Sequence, residues 1–257
     1  MPEYRKKFKV TAVAAAVTAL ALTLGGCSMD TTSPSAARDS GSDAKPLSLS
    51  AAGGTDCAKA KCIALTFDAG PGKDTPKLLD TLKEKQVHAT FFLLGKNHVV
   101  KHPDVVRRIA AEGHEVANHT WSHHRLDELG TDEIRNELSR TQEAIAKITG
   151  SRPTLMRPPQ GRTSDDVTSV SRELGLAQIL WSATAKDYST TDSELIRKRI
   201  LDQAGSDGII LLHDIYDGTV PAVPGIIDEL TKRGYTFVTV PELLAPGKAN
   251  PGEVYRP

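Results

Sequence analysis

The chain has 257 residues, with 32 basic and 32 acidic side chains, so its formal net charge at neutral pH is zero. Outside a short basic stretch near the start, the positive charges form no block or stripe of the kind that binds nucleic acid. The composition therefore gives no support to a nucleic-acid partner.

The first 27 residues have the features of an export signal. Basic residues at positions 5–9 precede an apolar run over residues 10–24, and small residues then lead to Cys27. This apolar run is short for a bilayer span, which favours a cleaved signal over a transmembrane anchor. The Leu-Gly-Gly-Cys sequence ending at Cys27 resembles a bacterial lipobox. That resemblance implies lipid attachment at Cys27 and a protein held at the outer face of the cell membrane.

Three further segments follow the signal. Residues 28–56 are mostly Ser, Thr, Ala, Asp and Gly, which predicts a disordered tether because such residues bury little apolar surface. Residues 57–246, about 190 residues, suffice for one domain with a single core, and residues 247–257 are predicted to be a C-terminal tail. In an exported protein, Cys57 and Cys62 are expected to form a disulfide; a metal role is the alternative, although no His or further Cys lies close to them in the sequence.

The folded domain alternates between strands and helices. Strands are predicted at residues 63–67, 89–94, 115–118, 154–157, 178–181, 209–213 and 236–240. Helices are predicted from residue 75 and at residues 105–111, 131–149, 165–174, 193–204 and 223–232. The helix at 131–149 has the clearest apolar spacing, and Gly150 ends it. This alternation predicts a single parallel α/β domain, a distorted (β/α) barrel of seven to eight strands.

Four chemically useful side chains fall at or just past predicted strand ends: Asp68, His119, Arg157 and His213. In parallel α/β folds the carboxyl ends of the strands meet at one end of the sheet or barrel. The sequence thus predicts one site that holds a carboxylate, histidines and an arginine. This inventory suits metal-assisted hydrolysis.

His119 and His123 are spaced four residues apart, so a single helical turn would place both imidazoles on one side as ligands of a divalent metal. Surface histidines also reach this spacing by chance. His124 is either a competing ligand or an exposed neighbour.

The other site residues also have structural alternatives. Asp68 could cap the following Gly-Pro turn or act as a general base. Arg157 could lock a nearby carboxylate through paired hydrogen bonds or form an ordinary structural ion pair. His213 could be a core histidine, or a site residue with Asp187 on an earlier strand-end loop as its partner.

Taken together and in this order, four motifs resemble the NodB-homology polysaccharide deacetylases, carbohydrate esterase family four. They are Thr-Phe-Asp-Ala-Gly at residues 66–70, His-Thr-Trp-Ser-His at 119–123, Arg-Pro-Pro-Gln-Gly at 157–161 and Leu-Leu-His-Asp at 211–214. The resemblance extends from about residue 62 to residue 240, nearly the whole predicted domain.

The resemblance implies a role for each matching residue. Asp68 would be the catalytic base, and Arg157 would orient it. His119 and His123 would bind a divalent metal, for which this family commonly uses zinc.

The remaining implied roles concern the substrate. The backbone N–H of Gln160 would stabilise the oxyanion, and His213, held by Asp187, would protonate the leaving amine. Leu211, with Trp181, would line the pocket for the acetyl methyl group. The implied reaction removes N-acetyl groups from N-acetylglucosamine or N-acetylmuramic acid in a glycan, as a hydrolase acting on carbon–nitrogen bonds other than peptide bonds. A monomer is expected.

Ala69 is the main departure from the family pattern, which usually has an Asp as the third metal ligand at this position. Asp68 could itself bind the metal, with water or Asp74 completing the shell, or the site could bind metal weakly and remain active. Alternatively, the domain could be a catalytically degenerate glycan-binding module. The retained base, arginine and acid favour an active enzyme. A hydrolase of small amides is a third hypothesis.

Three other positions also differ from the family pattern. Gln160 replaces an aromatic residue, Tyr188 replaces a tryptophan and Thr184 replaces an Asp. A backbone donor survives the change at Gln160, and the other two changes remove no named function.

Overall fold

The computed structural model describes residues 30–41 and 55–257. The predicted signal and the predicted lipidation site Cys27 lie outside these residues. Within the described part of the chain, no helix is long and apolar enough to cross a membrane.

The described residues form one sheet of nine strands. These are β1 (Lys61–Asp68), β2 (Thr90–Leu93), β3 (Glu115–Asn118), β4 (Leu155–Met156), β5 (Ala177–Ile179), β6 (Ala183–Thr184), β7 (Gly208–Leu212), β8 (Tyr235–Val238) and β9 (Val254–Tyr255). The strand order is β6-β7-β1-β2-β3-β4-β5-β9, and β8 pairs with the first half of β1. All of these pairs are parallel. β1 lies at the centre and is buried from Cys62 onward, as expected of a strand covered on both faces.

The sheet curls strongly at β5 and β6. β5 pairs with β4, β6 pairs with β7, and only residues 180–182 separate the two strands in the chain. One short stretch of chain therefore connects strands near the two opposite ends of the strand order. The predicted parallel, barrel-like α/β domain is confirmed.

Eight α-helices are present in the described residues. They are α1 (Pro34–Ser40), α2 (Thr75–Glu84), α3 (Pro103–Ala111), α4 (Thr131–Thr149), α5 (Asp165–Glu173), α6 (Ser193–Gln203), α7 (Thr219–Lys232) and α8 (Val240–Leu244). The bounds of α4 match the prediction, and Gly150 ends the helix in a left-handed conformation with φ of 78°. α7 starts four residues before its predicted start and contains Pro224. A proline at this position obscures the helical pattern in the sequence.

The prediction of a disordered tether is wrong for residues 30–41. Ser33 caps α1, Ala37 is buried, and Thr32 forms a parallel bridge with Tyr255. Arg38 donates hydrogen bonds to Asp207 Oδ2 at 2.6 Å and to the carbonyl of Leu243 at 2.8 Å. The composition did not predict this order because the segment, which we call the N-terminal strap, docks through backbone pairing and one partly buried ion pair. It buries few apolar side chains.

The prediction that residues 247–257 form a tail outside the domain is also wrong, because Val254 and Tyr255 form β9 against β5. Tyr255 is only 1% exposed. A strand of two residues has too little pattern to be recognised in the sequence. The folded domain therefore extends well beyond residue 246.

Cys57 and Cys62 form a disulfide bond at the entrance to β1. Both are buried, at the opposite end of the strand from Asp68. Because both sulfurs are used in the bond, the alternative metal role for these cysteines is set aside.

Candidate active site

The carboxylate of Asp68 ends β1 and is held by a buried arginine. Nη1 of Arg157 lies 2.6 Å from Asp68 Oδ1 and 2.7 Å from Thr66 Oγ1. Nε of the same arginine donates to the carbonyl of Ile179 at 2.9 Å. The prediction that Arg157 makes two hydrogen bonds to one carboxylate is wrong, because only one nitrogen of Arg157 contacts Asp68. The guanidinium is shared among several partners, which fixes it rigidly within the site.

His119 lies beside Asp68 with a defined tautomer. Its Nδ1 is 2.8 Å from the carbonyl oxygen of Arg157, and a carbonyl can only accept, so Nδ1 carries the hydrogen. Its Nε2 therefore has a free lone pair and lies 3.9 Å from Asp68 Oδ2. Burial lowers the pKa of His119 to about 4, although the charge of Asp68 acts in the opposite direction. The imidazole is neutral at pH 7.

The prediction that a helical turn aligns His119 with His123 is wrong. The segment is a loop in which Thr120 and His123 are left-handed, with φ of 72° and 65°. This loop still brings the two rings together, with centroids 5.0 Å apart. His123 is more exposed than His119, and desolvation by the surrounding protein lowers its pKa. His124 is exposed, and its Nδ1 lies 3.2 Å from Ser122 Oγ.

His213 follows β7 and is oriented by Asp187. Its Nδ1 lies 2.8 Å from Asp187 Oδ1, and its backbone N–H donates to Oδ2 at 2.7 Å. Thr219 Oγ1 donates to the same Oδ2 at 2.8 Å. Burial opposes the charged imidazole, but the hydrogen bond and charge of Asp187 outweigh it, so the pKa of His213 is raised. This histidine is suited to hold a proton near neutral pH.

The three predicted substrate-contacting residues occupy positions around these groups. Gln160 is left-handed, with φ of 58°. Trp181 packs so closely that a Cβ on Gly161 would lie 2.9 Å from its ring. Leu211 is in register with Thr66, two residues before the carboxylate of Asp68.

Ala69 follows Asp68 with a left-handed φ of 64° and is 6% exposed. Its methyl group offers no metal ligand. Across residues 30–41 and 55–257, no three His, Cys, Asp or Glu side chains are grouped so that they could hold a metal, and Asp74 therefore completes no such set. The two imidazoles fall short of the three protein ligands usual for catalytic zinc. We therefore derive no catalytic step through a metal.

Sequence reasoning missed Glu137, which contacts the histidine loop from α4. Its Oε2 accepts from the backbone N–H groups of Trp121 at 3.0 Å and Ser122 at 2.8 Å. The signal available in the sequence was its position beside Ile134 and Leu138 on the apolar side of the helix. An acidic residue on a buried helix face needs partners.

Asp214 is a second residue without a predicted role. It is fully buried, and its Oδ2 accepts a hydrogen bond from Thr75 Oγ1, which in turn accepts from the backbone N–H of Gly72 at 2.7 Å. Burial raises the pKa of Asp214 to about 6. A side chain at Gly70 would collide with Asp214 Oδ1, which explains the glycine there. Asp214 therefore connects the end of β7 to the loop after Asp68.

The sequence and the fold agree with one family. Residues 55–179 match the sequence pattern of the polysaccharide deacetylases. Peptidoglycan-N-acetylglucosamine deacetylase PgdA of Listeria monocytogenes is 41% identical over 184 residues, which is 71% of this chain and 39% of the relative. The chain thus spans about two fifths of the length of that relative. A structure of the T48 deacetylase with substrate superimposes with a TM-score of 0.75 at 38% identity, covering 78% of this chain and 99% of the other. The chain belongs to the polysaccharide deacetylase family.

The family also contains proteins that lack activity. A wild-type structure from Bacillus anthracis, BA3943, described as a pseudoenzyme of carbohydrate esterase family 4, superimposes with a TM-score of 0.69 at 26% identity, covering 77% of this chain and 70% of the other. Deacetylases of this family are generally metal-dependent. The incomplete ligand set around Ala69 therefore bears directly on function.

Proposed function

We propose that this protein hydrolyses N-acetyl groups of cell-wall peptidoglycan or a related polysaccharide that contains N-acetylglucosamine. The observation that supports this most strongly is the pairing of a base with an acid. Arg157 holds the carboxylate of Asp68, while Asp187 holds His213 and raises its pKa. Hydrolysis of an amide needs both groups.

In the proposed reaction, Asp68 accepts a proton from the attacking water as the water oxygen bonds to the acetyl carbon. The backbone N–H of Gln160 stabilises the oxyanion that forms. Cleavage of the C–N bond is completed when protonated His213 gives its proton to the leaving nitrogen. The products are acetate and a free amine on the sugar.

We also propose that His119 and His123 bind a divalent metal, with zinc as the expected ion. The neutral state of His119 and its free Nε2 support this assignment. The lone pair of an imidazole is available to a metal only when the ring is neutral. Ala69 is expected to leave this site weaker than one with a third protein ligand.

We further propose that the protein is exported and lipid-anchored at Cys27 on the outer face of the cell membrane, and acts as a monomer. The basic, apolar and small-residue pattern of residues 1–27 supports this location. Asp30 lies only three residues after Cys27, and Thr32 is bound to β9. An anchored domain would therefore lie close to the membrane instead of on a long tether.

Ala69 favours one alternative, a glycan-binding module without turnover. The deciding measurement is acetate released from peptidoglycan and from chitin oligomers by the purified chain, with and without added zinc. Asp68→Asn should abolish release if the protein is an enzyme. Glycan binding with no acetate at any zinc concentration would establish the binding module. Turnover of small amides alone would instead support a small-amide hydrolase.

A further inference from the structure

The loop that carries the two site histidines is conformationally strained. Thr120 and His123 both have positive φ, and neither is a glycine. A left-handed conformation costs such residues about 1–2 kcal/mol each. The surrounding structure must therefore hold this loop in place.

Side chains accept from all four backbone N–H groups between Thr120 and His123. Asn118 Oδ1 accepts from Thr120 at 2.8 Å, and Thr120 Oγ1 accepts from His123 at 3.1 Å. The middle two groups, on Trp121 and Ser122, both donate to Glu137 Oε2.

Glu137 is the charged member of this set. Its second oxygen, Oε1, accepts from Ser122 Oγ at 2.6 Å, so one carboxylate takes three hydrogen bonds. Glu137 is 7% exposed and projects from the long helix α4. Charge-assisted hydrogen bonds are about twice as strong as neutral ones, so this carboxylate restrains the loop more firmly than a neutral acceptor would.

We infer that Glu137 is a positioning residue that holds the left-handed loop and thereby places the imidazole of His123 beside that of His119. The role of Glu137 in catalysis rests on the proposed function, whereas its role in loop geometry does not. Glu137 acts through the loop backbone and is assigned no contact with the reacting atoms.

Conservative variants separate positioning from simple packing. Glu137→Gln keeps the size of the side chain but leaves a single acceptor oxygen and turns an NH2 group toward N–H and O–H donors. Glu137→Asp keeps the charge on a shorter side chain and should retain part of the loop positioning that Glu137→Gln loses. Glu133→Gln is the matched control, because Glu133 lies one turn earlier on α4 and only caps Gly130 at 3.2 Å.

The first readout is NMR of the purified full chain with labelled histidine rings. We expect Glu137→Gln to lose the ring-to-ring contact between His119 and His123 while the signals of His213 stay unchanged. Glu133→Gln should match the wild type. Retention of the wild-type contact in both Glu137→Gln and Glu137→Ala would overturn the inference.

The second readout is acetate release. The kcat of Glu137→Gln should fall by roughly 10–100-fold with little change in KM, since the loss is one of geometry in the site. An unchanged kcat in this variant would contradict the inference that Glu137 contributes to catalysis. If the wild type itself releases no acetate, the proposed function fails, and the NMR result still decides whether Glu137 positions the loop.

Discussion

The backbone carbonyl of Arg157 lies 2.8 Å from Nδ1 of His119, and the guanidinium of Arg157 lies 2.6 Å from Asp68. One residue therefore sets the tautomer of a site histidine through its main chain and the orientation of the proposed base through its side chain. Displacement of Arg157 should disturb both groups together.

Arg157→Lys tests this double role. A lysine donates hydrogen bonds from one nitrogen only. It therefore cannot donate to Asp68, Thr66 and the carbonyl of Ile179 at the same time. We expect acetate release to fall by about 100-fold or more. Because lysine keeps the charge but leaves the buried carbonyl of Ile179 without its donor, the free energy of unfolding should also fall by about 1–3 kcal/mol.

Both quantities are measurable, by acetate release and by urea denaturation. Arg152→Lys is the control, since Arg152 is an exposed residue 3.6 Å from Glu143. Activity of Arg157→Lys within threefold of wild type would show that the position of Asp68 does not depend on the guanidinium group.

The location of the site could be predicted from the sequence, but the way it is held could not. Asp68 and His213 follow apolar runs that end at turns, so the strand pattern alone placed both at one end of the sheet. The partnership of Glu137 with Trp121 joins residues 16 positions apart across a helix and a loop, with no periodicity to reveal it. The bridge between Thr32 and Tyr255 is a contact between backbones, which residue types do not encode.

Asp214→Asn should change how stability depends on pH. The pKa of Asp214 is raised to about 6 in the folded state from an ordinary value of 3.8. The folded protein therefore keeps a proton that the unfolded chain releases between these values. The stabilisation that this bound proton gives the folded protein is fully present below about pH 4 and is lost as the pH rises through 6.

Because asparagine stays neutral, Asp214→Asn should gain stability relative to wild type between pH 4 and pH 7, by about 3 kcal/mol at most. Urea denaturation at several pH values measures the difference. Asp217→Asn is the control, because Asp217 is exposed and pairs with Lys73. A stability difference that does not vary with pH would contradict the raised pKa of Asp214.

Arg38→Ala tests whether the N-terminal strap is part of the folded domain. It removes the hydrogen bonds to Asp207 and to the carbonyl of Leu243, and should cost about 2–3 kcal/mol of unfolding free energy. Activity should be unchanged, because Asp207 precedes β7 whereas His213 follows it. Arg107→Ala is the comparison, since its pair with Asp104 is exposed. Equal stability of Arg38→Ala and wild type would mean that the strap contributes nothing to the fold.

Ala69→Asp tests whether this position limits metal binding. The left-handed φ of 64° at Ala69 is one that aspartate accepts more readily than most residues, so the substitution should fold. A carboxylate there would supply a third protein ligand beside His119 and His123. We expect zinc affinity to rise about tenfold or more, and acetate release at limiting zinc to rise with it.

Calorimetric zinc titration and acetate assays on the same preparations provide the two measurements. Ala69→Gly is the matched control, because it relieves the backbone conformation without adding a ligand, and it should change stability alone. His119→Ala in the Ala69→Asp background should remove the added affinity, since the new carboxylate would then have only one imidazole beside it. If Ala69→Asp alters neither affinity nor turnover, the metal is held elsewhere or is absent, and the assignment of His119 and His123 as ligands must be withdrawn.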